Sequence, residues 1–200
     1  MRVSVALCTH NGERFLGEQL RSIAAQSRPP DEVVVGDDRS ADATAEMVAA
    51  WAAEVPFPVS FLAADEPLGT ARNFGRTIAA TSGDVIVLAD QDDVWHPTKL
   101  DRLADALRDS AGLAFSDGGL IDADGLVVAG SCFANAGLAT GDLAAIARGD
   151  AFRLFVDHQL SLRSTVMGAT LAFRREHLDR VLPLPDWLPA TGKGALLHDS

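Results

Sequence analysis

Gly83-Asp-Val-Ile-Val-Leu-Ala-Asp-Gln-Asp-Asp-Val-Trp95 is the stretch on which the reading of the fold turns. An apolar run from Val85 to Ala89 breaks abruptly into three carboxylates, Asp90, Asp92 and Asp93. A short apolar run with glycine on one side and acids on the other suits a buried strand of a parallel sheet. Ligands of open α/β sheets bind in the crevice outside the carboxyl ends of the strands. Acids gathered there repel one another unless a cation or a substrate sits between them. Carboxylates at i and i+2 in a tight loop suit a hard divalent ion that also grips phosphates. A solvated acidic turn is the plainer reading, and the flanking sequence has to decide between them.

Upstream, Val3-Ser-Val-Ala-Leu-Cys8 reads as a first strand, and Asn11-Gly12 breaks it. A helix from Glu13 to Gln26 follows, with Leu16, Leu20 and Ile23 at helical spacing, until Pro29-Pro30 stops it. Glu32-Val-Val-Val35 is a second strand, and it too ends in acid, Gly36-Asp37-Asp38-Arg39-Ser40. The next helix carries Thr44, Val48, Trp51 and Val55 on its buried stripe, with Asp42 placed to cap it. A third strand spans Val59 to Leu62, and Glu66-Pro-Leu-Gly-Thr-Ala-Arg-Asn-Phe-Gly75 opens a helix that runs to Thr81. Downstream of the opening stretch, His96-Pro97-Thr98 starts a further helix with Leu100, Leu103 and Leu107 inward. The order βαβαβαβα predicts a mainly parallel sheet with right-handed crossovers and helices on both faces. The acidic loops after strands two and four are then expected to face one crevice.

After Ser110 the pattern changes. Leu113–Ser116 reads as a short strand, Asp122–Gly125 as a turn and Leu126–Val128 as a returning strand. Gly130–Gly149 reads as loops with one short helix, Val166–Phe173 as a strand, and Arg175–Val181 as a helix. Pro183, Pro185 and Pro189 mark an extended segment, and Gly192-Lys-Gly194 a flexible one.

With 200 residues, 48% of them hydrophobic, the chain has enough material for one domain with a sizeable core. A net charge of -11 argues against nucleic acid as a partner, because phosphate backbones select basic surfaces. A nucleotide held through a metal stays compatible, since the cation supplies the positive field. Cys8 and Cys132 read as buried thiols of a reducing compartment. The apolar run of Val3–Cys8 is too short for a signal peptide, and no apolar stretch approaches a membrane span. The expectation is a cytoplasmic protein, with peripheral contact at the inner face of the membrane left open. No Gly-x-Gly-x-x-Gly follows the first strand, which removes a dinucleotide-binding dehydrogenase. A phospho-acceptor domain would want a lysine at a late strand end, and the only lysines are Lys99 and Lys193.

Four motifs in this order resemble the inverting family 2 glycosyltransferases, which have the nucleotide-sugar-binding GT-A fold. They are Val3–Gly12, Val35-Gly-Asp-Asp-Arg-Ser-Ala-Asp-Ala-Thr44, Gly69-Thr-Ala-Arg-Asn-Phe-Gly75 and Leu88-Ala-Asp-Gln-Asp-Asp-Val-Trp95. The Asp-Gln-Asp-Asp-x-Trp form, with His198-Asp199 near the end, is most similar to the rhamnosyltransferase-like branch. The resemblance implies one GT-A domain over 1–200, with 1–110 a nucleotide-binding half and 111–200 an incomplete acceptor-side half. It implies that Thr9, His10 and Asn11 line the donor site, His10 standing where the family often stacks an aromatic on the base. Asp38 would accept a hydrogen bond from the imide of a uracil or thymine ring. Arg72 would contact the pyrophosphate, and Gln91 would also face the donor. Asp90 and Asp92 would hold Mg²⁺ or Mn²⁺ against the diphosphate, Asp92 more directly. Asp199 would take the proton from the attacking hydroxyl.

The implied reaction moves a sugar from a UDP- or dTDP-linked donor to a saccharide or lipid-linked saccharide, as in bacterial surface polysaccharide synthesis. Family members continue well past this point, whereas the sequence stops one residue after Asp199. A truncated nucleotide-sugar-binding module without turnover is therefore the alternative.

Overall fold

The structure is a computed structural model that describes residues 1–108, 111–135 and 170–184. In chain order its first half forms β1 (Val3–Thr9), α1 (Leu16–Ala24), β2 (Glu32–Asp37), α2 (Thr44–Ala52), β3 (Val59–Ala63), α3 (Thr70–Ala80), β4 (Val85–Asp90) and α4 (Lys99–Ala106). There follow β5 (Leu113–Phe115), β6 (Leu120–Ile121), β7 (Val127–Ala129), a one-turn α5 (Cys132–Asn135), β8 (Leu171–Arg174), a 3-10 turn (Arg175–His177) and α6 (Leu178–Val181). The main sheet runs β3-β2-β1-β4-β8-β5. The first four of these strands are parallel, while β8 is antiparallel to both β4 and β5. The expected mainly parallel sheet is thus present, and β8 makes it mixed.

β1 is buried at every residue, which requires apolar cover on both faces and a strand on each side. Its alternate side chains supply two cores. Val3, Val5 and Leu7 pack with α1, α2 and α4 on one face, through Leu16, Leu20, Ile23, Val48, Trp51, Leu100 and Leu103. Ala6 and Cys8 point to the other face, where Phe74 and Ile78 of α3 and Phe173 of β8 cover them. Leu100, Leu103 and Leu107 are buried as the periodicity predicts. The returning strand lies at Val127–Ala129, one residue later than expected, and pairs with a short β6 that the sequence does not announce, while β5 joins the main sheet beside β8.

Some boundaries move. α1 begins at Leu16 instead of Glu13, because the Phe15 and Leu16 amides both donate to the Gly12 carbonyl in a preceding turn. α2 ends at Ala52, leaving Val55 half-buried past its end. α3 starts at Thr70, after Gly69 turns the chain with φ 78°. Ala43, not Asp42, holds the N-cap position of α2; Asp42, one residue earlier, accepts from the Thr44 amide at 3.1 Å with one oxygen and from the Glu13 amide at 2.9 Å with the other. The strand expected over Val166–Phe173 appears as Leu171–Arg174, with 166–169 outside the described residues. The helix expected over Arg175–Val181 divides into the 3-10 turn and α6. Cys8 is buried, but Cys132 is only half-buried, because the short helix that carries it lies at the surface. Among the described residues no helix is long and apolar enough to cross a membrane.

α3 lies close on the sheet because Gly36 has no side chain. Asn73 Nδ2 donates to the Gly36 carbonyl at 2.7 Å, and a Cβ on Gly36 would overlap the Thr77 hydroxyl. Thr77 is fully buried and cannot swing into solvent. Gly36→Ala is expected to destabilise the fold by about 1–3 kcal/mol through overpacking. Urea denaturation of the two proteins checks this, and equal midpoints would show that α3 can shift.

Candidate functional site: the crevice at the strand ends

Thr9 of β1 stands in register with Asp37 of β2, and Cys8 with Asp90 of β4. The two acidic loops therefore leave the same edge of the sheet, one on each side of β1, as the sequence predicts. The chain winds from β1 to β3 in one direction and then returns to place β4 on the far side of β1. That reversal is the switch point at which open α/β sheets bind ligands.

Asp37 is buried and builds its own loop. Its carboxylate accepts from Thr9 Oγ1 at 2.7 Å, the Ser40 amide at 2.8 Å and Ser40 Oγ at 2.5 Å. Arg39 takes a left-handed conformation, φ 57°, to close this turn. Thr9, singled out from the sequence, directs its hydroxyl to Asp37. Asp38 is 8% exposed, and each of its oxygens accepts a backbone amide, Leu68 at 2.6 Å and Gly69 at 2.9 Å. It thereby ties down the two residues that lead into α3, where a carboxylate is electrostatically favoured. Each oxygen keeps a second lone pair.

His10 and Asn11 bridge the two sides. The Asp38 carbonyl lies 2.7 Å from His10 Nδ1 and can only accept, so that nitrogen carries the proton. Nε2 then accepts from Asn11 Nδ2 at 3.1 Å. Asn11, at φ 48°, donates its amide to Ser40 Oγ at 2.8 Å and accepts from the Ala41 amide at 2.9 Å. Gln91 reaches back across β1: the His10 amide donates to its Oε1 at 2.8 Å, and its Nε2 donates to the His10 carbonyl at 3.1 Å.

On the β4 side Asp90 is buried and Asp92 exposed, two residues apart at the strand end. The Lys99 ammonium stands 4.4 Å from the centre of the Trp95 ring. Burial pushes its pKa down to about 8, against the opposing pull of Asp93 and Asp90. Among the described residues no three His, Cys, Asp or Glu side chains group closely enough to hold a metal by themselves. Arg72 lies exposed on the first turn of α3. A cavity of about 680 Å³ opens beside the crevice, with Asp92, Asp93, Lys99, Arg102 and Asp117 on its walls. Asp199 lies outside the described residues.

Sequence analysis missed Asn73 and Arg76. Arg76 donates Nη2 to the Asp37 and Leu62 carbonyls at 2.7 and 2.8 Å and Nη1 to Ala63 at 3.1 Å, so it closes the ends of β2 and β3. The signal was present: Asn73, Arg76 and Thr77 form a polar stripe at i, i+3 and i+4 on a helix that packs on the sheet.

The sequence profile described as glycosyl transferase family 2 matches residues 4–124, more than half of the chain. The chain belongs to that family. Among relatives of this family 2 chain, the dTDP-rhamnosyl transferase RfbG of Shigella flexneri is 31% identical over 105 residues, covering 50% of this chain and 36% of that protein. The mannosyltransferase PcManGT of Pyrobaculum calidifontis, solved with GDP-Man and Mn²⁺, superposes with a TM-score of 0.65 at 23% identity, over 94% of this chain and 49% of that one. The glucosyl-3-phosphoglycerate synthase of Mycobacterium tuberculosis, solved with Mn²⁺ and UDP, gives 0.55 at 22% identity, over 88% and 57%. These likenesses establish the GT-A fold. The chain spans about a third of the length of the curated relatives it matches.

The bonds of Asp38 give it a structural role that needs no ligand. In Asp38→Asn one oxygen becomes an NH₂ facing a backbone N–H. A loss of about 1–3 kcal/mol is expected from the unsatisfied pair. Chemical denaturation without nucleotide measures it, and an unchanged midpoint would remove Asp38 from the support of α3.

Proposed function

We propose that this family 2 chain is a metal-dependent, inverting glycosyltransferase. It takes a sugar from a UDP- or dTDP-linked donor and delivers it to a hydroxyl of a saccharide or lipid-linked saccharide, in bacterial surface polysaccharide synthesis. The observation that carries this reading is the pair of acidic loops held at the switch point on either side of β1. The Mn²⁺ and nucleotides bound to its structural neighbours and the dTDP-rhamnosyl relative support it.

The donor set suits the ion. Asp90 and Asp92 offer hard oxygen ligands two residues apart, and Mg²⁺ is commonly bound by one or two carboxylates together with substrate phosphates. A protein cage of three or more ligands is not needed for an ion shared with a diphosphate. When bound, the ion would neutralise charge developing on the departing nucleoside diphosphate. The chain's own residues do the rest. The exposed ring of His10, fixed by bonds at both nitrogens, offers a face to the base. Asp38 has lone pairs left for the base imide. Arg72, exposed on the first turn of α3, would meet the pyrophosphate. Asp199 takes the proton from the acceptor hydroxyl as it attacks the anomeric carbon.

Calorimetric titration of UDP and dTDP, first with Mn²⁺ and then with EDTA, tests the donor site. Binding that requires the metal is expected, weakened about tenfold or more by Asp92→Ala. An Asp92→Ala protein that binds as tightly as wild type would sink the metal assignment. Transfer or donor hydrolysis is expected to vanish in Asp199→Asn with donor binding retained. Metal-dependent binding without any turnover in wild type would instead point to a module that binds nucleotide sugar and does not transfer it.

A further inference from the structure

We propose that Gln91 is a positioning residue, a clasp that sets the spacing between the base-reading and metal-holding sides of the donor crevice. The proposal rests on the donor-site reading above. β1 and β4 pair as far as Cys8 opposite Asp90, after which both chains turn into loops. One residue further, the Gln91 side-chain amide accepts from the His10 amide at 2.8 Å and donates to the His10 carbonyl at 3.1 Å. It meets both backbone groups of His10, as a neighbouring strand would, and so extends the ladder with a side chain.

The two ends of the clasp lead to different parts of the site. His10 is bonded through Nδ1 to the Asp38 carbonyl, on the β2 side. Gln91 stands between Asp90 and Asp92, on the β4 side. The bond thus joins loops 81 residues apart in sequence and fixes the gap that a nucleoside diphosphate must span. A ligand that touches both sides gains from a fixed spacing, whereas a ligand that uses one side does not.

Gly12 belongs to the same device. A Cβ placed there would stand 2.5 Å from Gln91 Oε1 and 3.0 Å from its Cδ, the flexible end of the side chain. Its φ is not left-handed, so alanine is compatible with the backbone. Gly12→Ala therefore displaces the clasp without touching Gln91.

A double-mutant cycle tests this. UDP in Mn²⁺ is titrated calorimetrically into wild type, Gln91→Ala, Gly12→Ala and the double variant, and UMP in EDTA is followed by ligand-observed NMR. Each single substitution is expected to weaken UDP about tenfold, in the range of outer-shell partners of metal sites. The double variant should bind no more weakly than Gln91→Ala, because the alanine at 12 then has nothing to displace. UMP affinity should change less than about twofold, since it uses one side only. In the free protein, the His10 amide should exchange faster in Gln91→Ala. Additive losses, equal losses for UMP and UDP, or an unchanged His10 exchange rate would each overturn the proposal. If wild type binds no UDP in Mn²⁺, the donor-site reading falls and the role of the clasp falls with it.

Discussion

Parallel pairing of β1 on both edges is the constraint from which the site follows. Six residues of β1 pair with β2 and six with β4, so the three strands must end at the same edge. Their loops emerge together whatever residues they contain. The winding reverses between β1 and β4, so no crossover covers that edge, and a crevice is left there. Family 2 chemistry needs groups from distant parts of the chain within reach of one ligand. Here the sheet register alone brings Asp37, His10 and Asp90 into one place.

Bringing them together creates a second problem, because strands that end in a crevice leave carbonyls without ladder partners. Buried polar groups are almost always hydrogen-bonded. Arg76 answers for Leu62 and Ala63 and adds a bond to the Asp37 carbonyl, which also accepts from the Ala64 amide, and Asn73 answers for Gly36. These bonds also place a fixed guanidinium beneath the acidic loop after β2. On the other side of β1, Lys99 stands among Asp90 and Asp93, with its charge disfavoured by burial and favoured by those acids. Each acidic loop thus has a resident cation nearby in a chain of net charge -11. The repulsion noted in the sequence is thus moderated inside the fold by these two cations.

Legibility followed the range of the interaction that decides each feature. Strand and helix faces were readable because burial imposes a period on neighbouring residues, and Leu16, Leu20 and Ile23 or Leu100, Leu103 and Leu107 fall where that period puts them. The acidic motifs were readable because their types and spacing are local. The insertion of β8 between β4 and β5 left no trace, since a four-residue apolar strand looks the same in either direction. The side chains of Thr9, Asp38 and Gln91 were assigned to the ligand, yet in the structure they bond to protein groups 28, 30 and 81 residues away. Nothing periodic in a sequence marks such bonds. Residues that resemble ligand contacts can thus support the site from behind.

The two sides of the site differ in how they are held. Around the crevice, the bonds of Asp37, Asp38, Asn73 and Gln91 tie segments far apart in the chain. Among the described residues, those between β5 and β8 bond mostly to one another. Asp117 accepts from Gly118 and from Ser131 and Phe133 at the start of α5, and Asp122 from Asp124 and Leu126, all at the surface. Segments with few buried contacts and local bonds open at lower cost than a core sheet. Loops that are held locally can change sequence without loss of the sheet. A family 2 fold built this way can keep its braced crevice while the surface loops beyond β5 vary in sequence.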